Sequence, residues 1–573
     1  MSRWAASLAL LLAGALALRV VGVEHGLPYA YNADENANFV PRAIGLFGHG
    51  LDPGYFVNPP AYTYLVHAVL AVWFGGRAGV AQAFAADPTD AWIVGRLVAA
   101  GLGTAAVGLL AATGARLFDR RTGWLAGALL AAAFLPVLYS HLALNDVPLL
   151  LPLVLSLYGC AGVLRGGGTA DWLVAGTGLG LACATKYTAG IVLLALLAAA
   201  VVRRGPARDG AGRGPVLAGP GRRGLALAVA AALAAFVAAN PSTVLDPGAV
   251  LDGLAHQTEA SGAPAGKLGL RADNGWLHYL WSLTWGLGWV PLVAAGAGAV
   301  LLARRDRPAF WLLVPAPVVF LAYMGAQERY FARWLMPMLP FLCLLATPAA
   351  VALADRVAAR APRWRKVALG LAGVALCAQG LVLSGHSIRV LGRADTRALT
   401  RAWMVQRIRP VAKVVIEPVV PAAWAQDVGR PLRRTDNGDR WIKYPTSRTR
   451  IDPASGRPLP PPGIVINPED FERVLRPELV DRYVRGGFCW VVVGSTQRGR
   501  AEAQPERAPG AIAYYRELER RARVAFRASP YDPGEGPVAF DFDTSFTWWP
   551  LAYERPGPEM TVFRLRGGRC GPG

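Results

Sequence analysis

Long apolar runs separated by short arginine clusters constrain this chain more than any other feature. About 20 apolar residues in succession suffice to cross a lipid bilayer, and lipid leaves only helices and closed barrels able to satisfy their backbone groups. Runs of this kind lie near residues 5–22, 92–114, 123–140, 147–164, 224–239, 277–302, 309–324, 333–353 and 367–386. One further block, 172–202, is too long for one span and short for two. It reads as a hairpin of two short helices turning around Ala184-Thr185-Lys186-Tyr187-Thr188, which brings the expectation to about eleven spans. Residues 61–75 read as an additional interfacial helix. Arg3 followed by an apolar run resembles a signal peptide, but the many later spans favour an uncleaved first helix, with Arg19 snorkelling to the interface.

The arginines set an orientation. With the N-terminus inside, Arg116, Arg120, Arg121, Arg165, Arg203, Arg204, Arg222, Arg223, Arg304, Arg305, Arg307 and the stretch from Arg356 to Lys366 all fall on one side. Dense positive charge marks the cytoplasmic face. The opposite face receives residues 23–90, 140–146, 240–276, 325–332 and everything beyond about 388.

Composition agrees with this division. The chain is 54% hydrophobic and 17% charged, against about 25% charged for a soluble protein. Its net charge of +21 invites a nucleic-acid reading. Many arginines cap apolar segments, however, and the aromatic-and-basic stripe of a single-strand binder is missing, so no nucleic acid is expected. Residues 1–388 therefore read as an α-helical polytopic membrane domain, and 389–573 as a smaller extracytoplasmic α/β domain. In the latter, Lys413-Val414-Val415-Ile416-Glu417, Phe488 to Gly494 and Met560 to Leu565 read as strands. Ala402 to Ile408 and Ile512 to Arg523 read as helices, and 444–463 as an excursion loop. Such a domain could bind an acceptor glycan or cover a site. Asp541, Asp543, Trp548 and Trp549 could face a sugar, although packing is the better reading. Of six cysteines, Cys160, Cys183, Cys343 and Cys377 lie in apolar segments, while Cys489 and Cys570 could form a disulfide outside the cell. No Walker sequence appears; Gly176-Thr177-Gly178-Leu179-Gly180 sits in an apolar helix and signals close packing.

The residues able to do chemistry cluster on the outer side. Asp34 and Glu35 follow the first span, where partial desolvation can make a carboxylate a general base; the alternative is a solvated acidic turn. Asp146, in Asn145-Asp146-Val147-Pro148, is either an N-cap or a functional acid at the mouth of a span. Lys186 is the one charge in its apolar block and needs an anion, a lipid phosphate being one choice and snorkelling the alternative. Arg329, Tyr330 and Arg333 could hold a phosphate or anchor a helix at the interface. The loop 240–276, with His256 and Glu259, is long enough to fold over a site as a lid; its lone histidine is weak evidence for a metal.

In order and sidedness these pieces resemble the GT-C glycosyltransferases, specifically the family-39-like group of protein O-mannosyltransferases and the lipid A aminoarabinose transferase. The resemblance rests on Asp34-Glu35, Asn58-Pro59-Pro60, Asn145-Asp146-Val147-Pro148, Thr185-Lys186-Tyr187-Thr188-Ala189 and Arg333-Trp334-Leu335-Met336-Pro337. It implies a polyprenyl-phosphate sugar donor and inverting transfer to a glycan, lipid or protein acceptor among membrane lipids. It also implies Asp34 as base, with Glu35 the lesser partner, and Lys186, Arg329, Tyr330 and Arg333 on the donor phosphate. Asp146, Asn58, His256 and Glu259 are further candidates. A relative carries a Glu-Lys pair where this chain reads Val57-Asn58, so no obligatory metal or other cofactor is expected, although a divalent ion is open to the fold. The competing classes are a transporter or flippase of lipid-linked substrates, and an inactive envelope-assembly protein of the same fold.

Overall fold

A computed structural model describes residues 3–202, 220–262, 268–269, 274–427, 439–444, 450–451, 458–459, 471–540 and 550–567. Helices occupy every apolar run. They are Arg3–Val20, Thr89–Leu117, Arg120–Ala132 with Phe134–Tyr139, Leu150–Leu164, Thr169–Thr185, Tyr187–Val202, Pro220–Ala239, Gly275–Arg305, Arg307–Gly325, Leu339–Arg360 and Arg365–Leu391. Among the described residues, seven are long and apolar enough to cross a membrane alone, and the chain is a multi-pass membrane protein. Ala61–Trp73 and Arg77–Ala86 meet at 91° and so do not form one straight span. Arg203 and Arg204 lie outside the described residues.

The breaks in these helices have local causes. The block 172–202 divides at Lys186, whose backbone is extended (φ −157°, ψ 126°). The Asn145 side-chain amide donates to the freed Thr185 carbonyl at 2.8 Å. Pro136 ends the run from Arg120 by removing a donor from the helical ladder, and the chain turns at Ala133. Arg19 answers that break. It does not snorkel: it is buried and donates to the Leu130 and Ala131 carbonyls, both at 3.2 Å. Carbonyls exposed by a broken helix are a better partner inside an apolar layer than distant water. Gly176 and Gly180 lie against the backbone of Ala228 and Ala232, where any Cβ would collide, as the small-residue spacing leads one to expect.

Beyond Leu391 the chain forms a five-stranded mixed sheet. Its strands are β1 (Lys413–Ile416), β2 (Ile442–Lys443), β3 (Trp490–Gly494), β4 (Ala522–Ala528) and β5 (Met560–Leu565). The spatial order is β2-β1-β3-β5-β4, parallel from β2 to β3 and antiparallel across β5. Side chains alternate between faces. Val414, Ile416 and Val492 pack on one side with Met404 of the helix Thr396–Arg407. Val415, Val491 and Val493 pack on the other with Tyr514 and Leu518 of Pro509–Arg521. Cys489 is disulfide-bonded; Cys570, Asp541, Asp543, Trp548, Trp549 and most of 444–463 lie outside the described residues.

The sheet region braces the first loop. Tyr29 joins the apolar cluster around Trp424 and Met404. The Arg397 guanidinium lies 3.7 Å from the Tyr31 ring centroid while its other edge pairs with Asp395. The long loop is tied to the same region: Leu268 is buried with Phe471 and Leu475, and Gly269 N–H donates to Gln504 Oε1 at 3.2 Å.

Candidate active site

Four chain segments, spread over 299 residues of sequence from Asp34 to Arg333, bring charged side chains into one cavity. Asn32 caps the short helix Ala33–Ala37, accepting from the Asp34 and Glu35 amides at 3.1 Å. Successive side chains on a helix diverge by about 100°, so the two acids part. The Asp34 carboxylate turns to the cavity, about half exposed, and accepts from Arg333 Nη2 at 2.6 Å. Arg333 Nε stands 3.8 Å from Asp146 Oδ2, and the other Asp146 oxygen accepts from Lys186 Nζ. The result is a chain of alternating charge, Asp34–Arg333–Asp146–Lys186, with its last three members buried.

The cavity around this chain has a volume of about 310 Å³. Asn58, Asn145, His256, Gln257 and Arg329 also line it. Asn58 donates to the Tyr55 hydroxyl at 2.8 Å, and Asn145 donates to Asn58 Oδ1 at 3.3 Å. The Phe331 ring carries both guanidiniums, Arg333 at 4.3 Å and Arg329 at 5.5 Å from its centroid. Leu254, His256, Gln257 and Thr258 belong to the helix Pro247–Gly262 of the long loop, which closes one wall. Gly253 of that helix sits against the Phe56 backbone, where a Cβ would be 2.6 Å from the carbonyl carbon. Among the described lining residues, His256 apart, three cations (Lys186, Arg329, Arg333) face two carboxylates (Asp34, Asp146), a formal surplus of one positive charge. That surplus suits a singly charged phosphodiester.

The expected site residues thus divide. Asp34, Asn58, Asp146, Lys186, His256, Arg329 and Arg333 line the cavity. Asp146 caps no helix; it pairs with Lys186, and the helix after it begins only at Leu150. Glu35 is elsewhere: it is fully buried, clamped by Arg96 Nε at 2.7 Å and Nη2 at 2.9 Å, and accepts from the Ala143 amide at 2.8 Å. Tyr330 is also buried, its ring 4.7 Å from that of His278. The Glu259 side chain lies outside the described part. Tyr55 and Phe331 were not foreseen. Phe331 stands between the two arginines in sequence, where an aromatic could have been read as their platform. Among the described residues no group of three or more His, Cys, Asp or Glu stands close enough to share a metal ion.

The same fold occurs in a known protein. The crystal structure of an oligosaccharyltransferase from Archaeoglobus fulgidus in the apo form superposes with a TM-score of 0.53 at 12% identity, covering 98% of this chain and 88% of that one. ArnT from Cupriavidus metallidurans, bound to undecaprenyl phosphate, gives 0.49 at 15% identity over 99% of each chain. Residues 89–219 match the family described as Dolichyl-phosphate-mannose-protein mannosyltransferase. No curated protein matches the chain in sequence. The structural likeness is one of fold, and the family match lies within the membrane helices, from Thr89–Leu117 onward.

Proposed function

We propose that this chain is a glycosyltransferase that moves a sugar from a polyprenyl-phosphate carrier to an acceptor hydroxyl on the non-cytoplasmic face of the membrane, with inversion. The observation that carries the reading is the alternating chain Asp34–Arg333–Asp146–Lys186 along one cavity. The match over residues 89–219 to a family described by dolichyl-phosphate-mannose supports a lipid-phosphate donor. The loops that the arginine pattern assigns to the outer face supply most of the cavity's lining, which supports the sidedness.

The chemistry follows from the parts. The acceptor hydroxyl gives its proton to Asp34 as its oxygen bonds to the anomeric carbon. The bond from that carbon to the phosphate oxygen breaks, and its electron pair leaves with the polyprenyl phosphate. Phosphate is a good leaving group, so no general acid is required; the site has to orient the acceptor and neutralise the departing charge. Lys186, Arg329 and Arg333 serve the phosphate, and Asp146 holds Lys186 and Arg333 in place. Glu35 and Tyr330 take no part in the reaction.

The test is transfer from a radiolabelled polyprenyl-phosphate sugar to membrane acceptors by the Asp34→Asn variant. Loss of transfer with an unchanged melting temperature supports the assignment; retained transfer overturns Asp34 as the base.

A further inference from the structure

A second cavity, of about 1060 Å³, lies in the sheet region. It is framed by the end of the helix Thr396–Arg407 and the starts of β1 and β3, and it reaches across β5 to β4. Its cations are Arg407, Arg409, Lys413, Arg523 and Arg564, and neither Asp nor Glu lines it among the described residues.

The sheet register makes this charge costly. Arg523 of β4 stands directly opposite Arg564 of β5, and Arg564 directly opposite Trp490 of β3. Directly opposed residues share a face of the sheet, and like charges there destabilise it. The row Arg523–Arg564–Trp490 therefore places two guanidiniums side by side at the mouth of a basic cavity, an arrangement that a bound anion relieves. Arginine forks match carboxylate and phosphate oxygens, and a cleft of about this size holds a small ligand.

Aromatic rings complete the wall. Trp403 meets Trp490 edge-on at 6.1 Å and stacks on Phe526 at 5.1 Å. The Arg564 guanidinium lies 5.3 Å from the Trp490 centroid. Single-stranded nucleic acids need a run of open ring faces for base stacking, whereas here Phe526 and Arg564 already take one face of each tryptophan. The cavity lies at Arg407, the end of its helix away from the junction with the membrane helix ending at Leu391. That end is about 16 Å along the helix from Thr396 at 1.5 Å per residue, which favours a soluble chain over a lipid surface.

We infer that this groove binds an acidic saccharide, a glycan bearing carboxylate, phosphate or sulfate groups. The choice of a saccharide among anions rests on the glycosyltransferase reading. The groove then holds the body of a charged acceptor on the same unit that packs against the loop carrying Asp34.

Binding is the readout, so the groove and the reaction fail separately. The full chain in phosphatidylcholine nanodiscs is titrated with tetragalacturonate, with uncharged maltotetraose, and with a single-stranded tetranucleotide. The expected result is that tetragalacturonate binds at least about tenfold more tightly than maltotetraose and weakens with added salt. The Arg407→Gln/Arg523→Gln variant loses at least about tenfold in affinity, as expected when two charge-assisted contacts go, while melting no lower than the parent. Asp34→Asn binds tetragalacturonate like the parent. Equal binding of the charged and neutral tetramers overturns the inference. So does an unchanged affinity in the double variant, or tighter binding of the tetranucleotide through the same arginines.

Discussion

Lys186 offers the sharpest separation of stability from chemistry. Lys186→Met leaves the Asp146 carboxylate buried, with Arg333 Nε at 3.8 Å as its remaining close cation. Removing one half of a buried ion pair costs about 3–5 kcal/mol, because the survivor is left uncompensated. Arg333 keeps the loss near the lower end, at roughly 3 kcal/mol. For a chain of this size that lowers the apparent melting temperature by roughly 2–3 °C. Adding Asp146→Asn removes the stranded charge, so the Lys186→Met/Asp146→Asn variant regains most of the lost stability. It does not regain the phosphate contact. Loss of one group that stabilises developing charge slows an enzyme by about 10²–10³-fold, and the double variant stays that slow. Melting in detergent and initial transfer rates from a polyprenyl-phosphate sugar, measured on the same preparations, decide the matter. If the double variant recovers transfer along with stability, Lys186 is only a structural partner of Asp146 and the phosphate assignment fails.

Two further perturbations probe residues outside the cavity. Glu35→Gln strands the Arg96 guanidinium and costs about 3–5 kcal/mol by the same reasoning. The variant should melt lower while the folded fraction transfers within about threefold of the parent rate, since a buried structural pair touches no reacting atom; lost transfer at unchanged melting would return Glu35 to the reaction. In the sheet region, burial pushes the Glu417 carboxyl up to about 8. Between the unfolded value near 4.5 and about 8, the folded protein holds a proton that the unfolded chain has released. Stability therefore falls as pH rises through that window and levels off above it. Glu417→Gln should flatten this slope when unfolding of the region is followed from pH 5 to 8, and an unchanged slope would assign it to other groups.

Much of this molecule is written in its apolar runs. Helices stand at each expected position because lipid admits no other local solution, and three of the expected strands were readable from their short apolar blocks. Strand β4 escaped notice because its apolar run, Val524-Ala525-Phe526, is only three residues long and is flanked by Arg523 and Arg527. The site was legible as a set of loops but not as a set of pairs. Asp34 and Arg333 are 299 residues apart, and only packing reveals that they touch. The division of Asp34 from Glu35 had a visible clue that went unused. Arg96 lies inside an apolar helix, and an arginine there requires a carboxylate, as Glu35 supplies. Arg19 misled for a related reason: its position near a helix end suggested snorkelling, while its actual partners appear only where Pro136 breaks another helix.

The central claim is that the cations meeting beside Asp34 exist to hold a lipid phosphate. A structure of the chain soaked with a polyprenyl phosphate tests it most directly. The account predicts phosphate oxygens within about 3 Å of Lys186 Nζ and the Arg333 guanidinium, with the prenyl chain leaving toward the membrane. A phosphate bound elsewhere, with the Asp34–Arg333 and Asp146–Lys186 pairs undisturbed and the cavity empty, would contradict it.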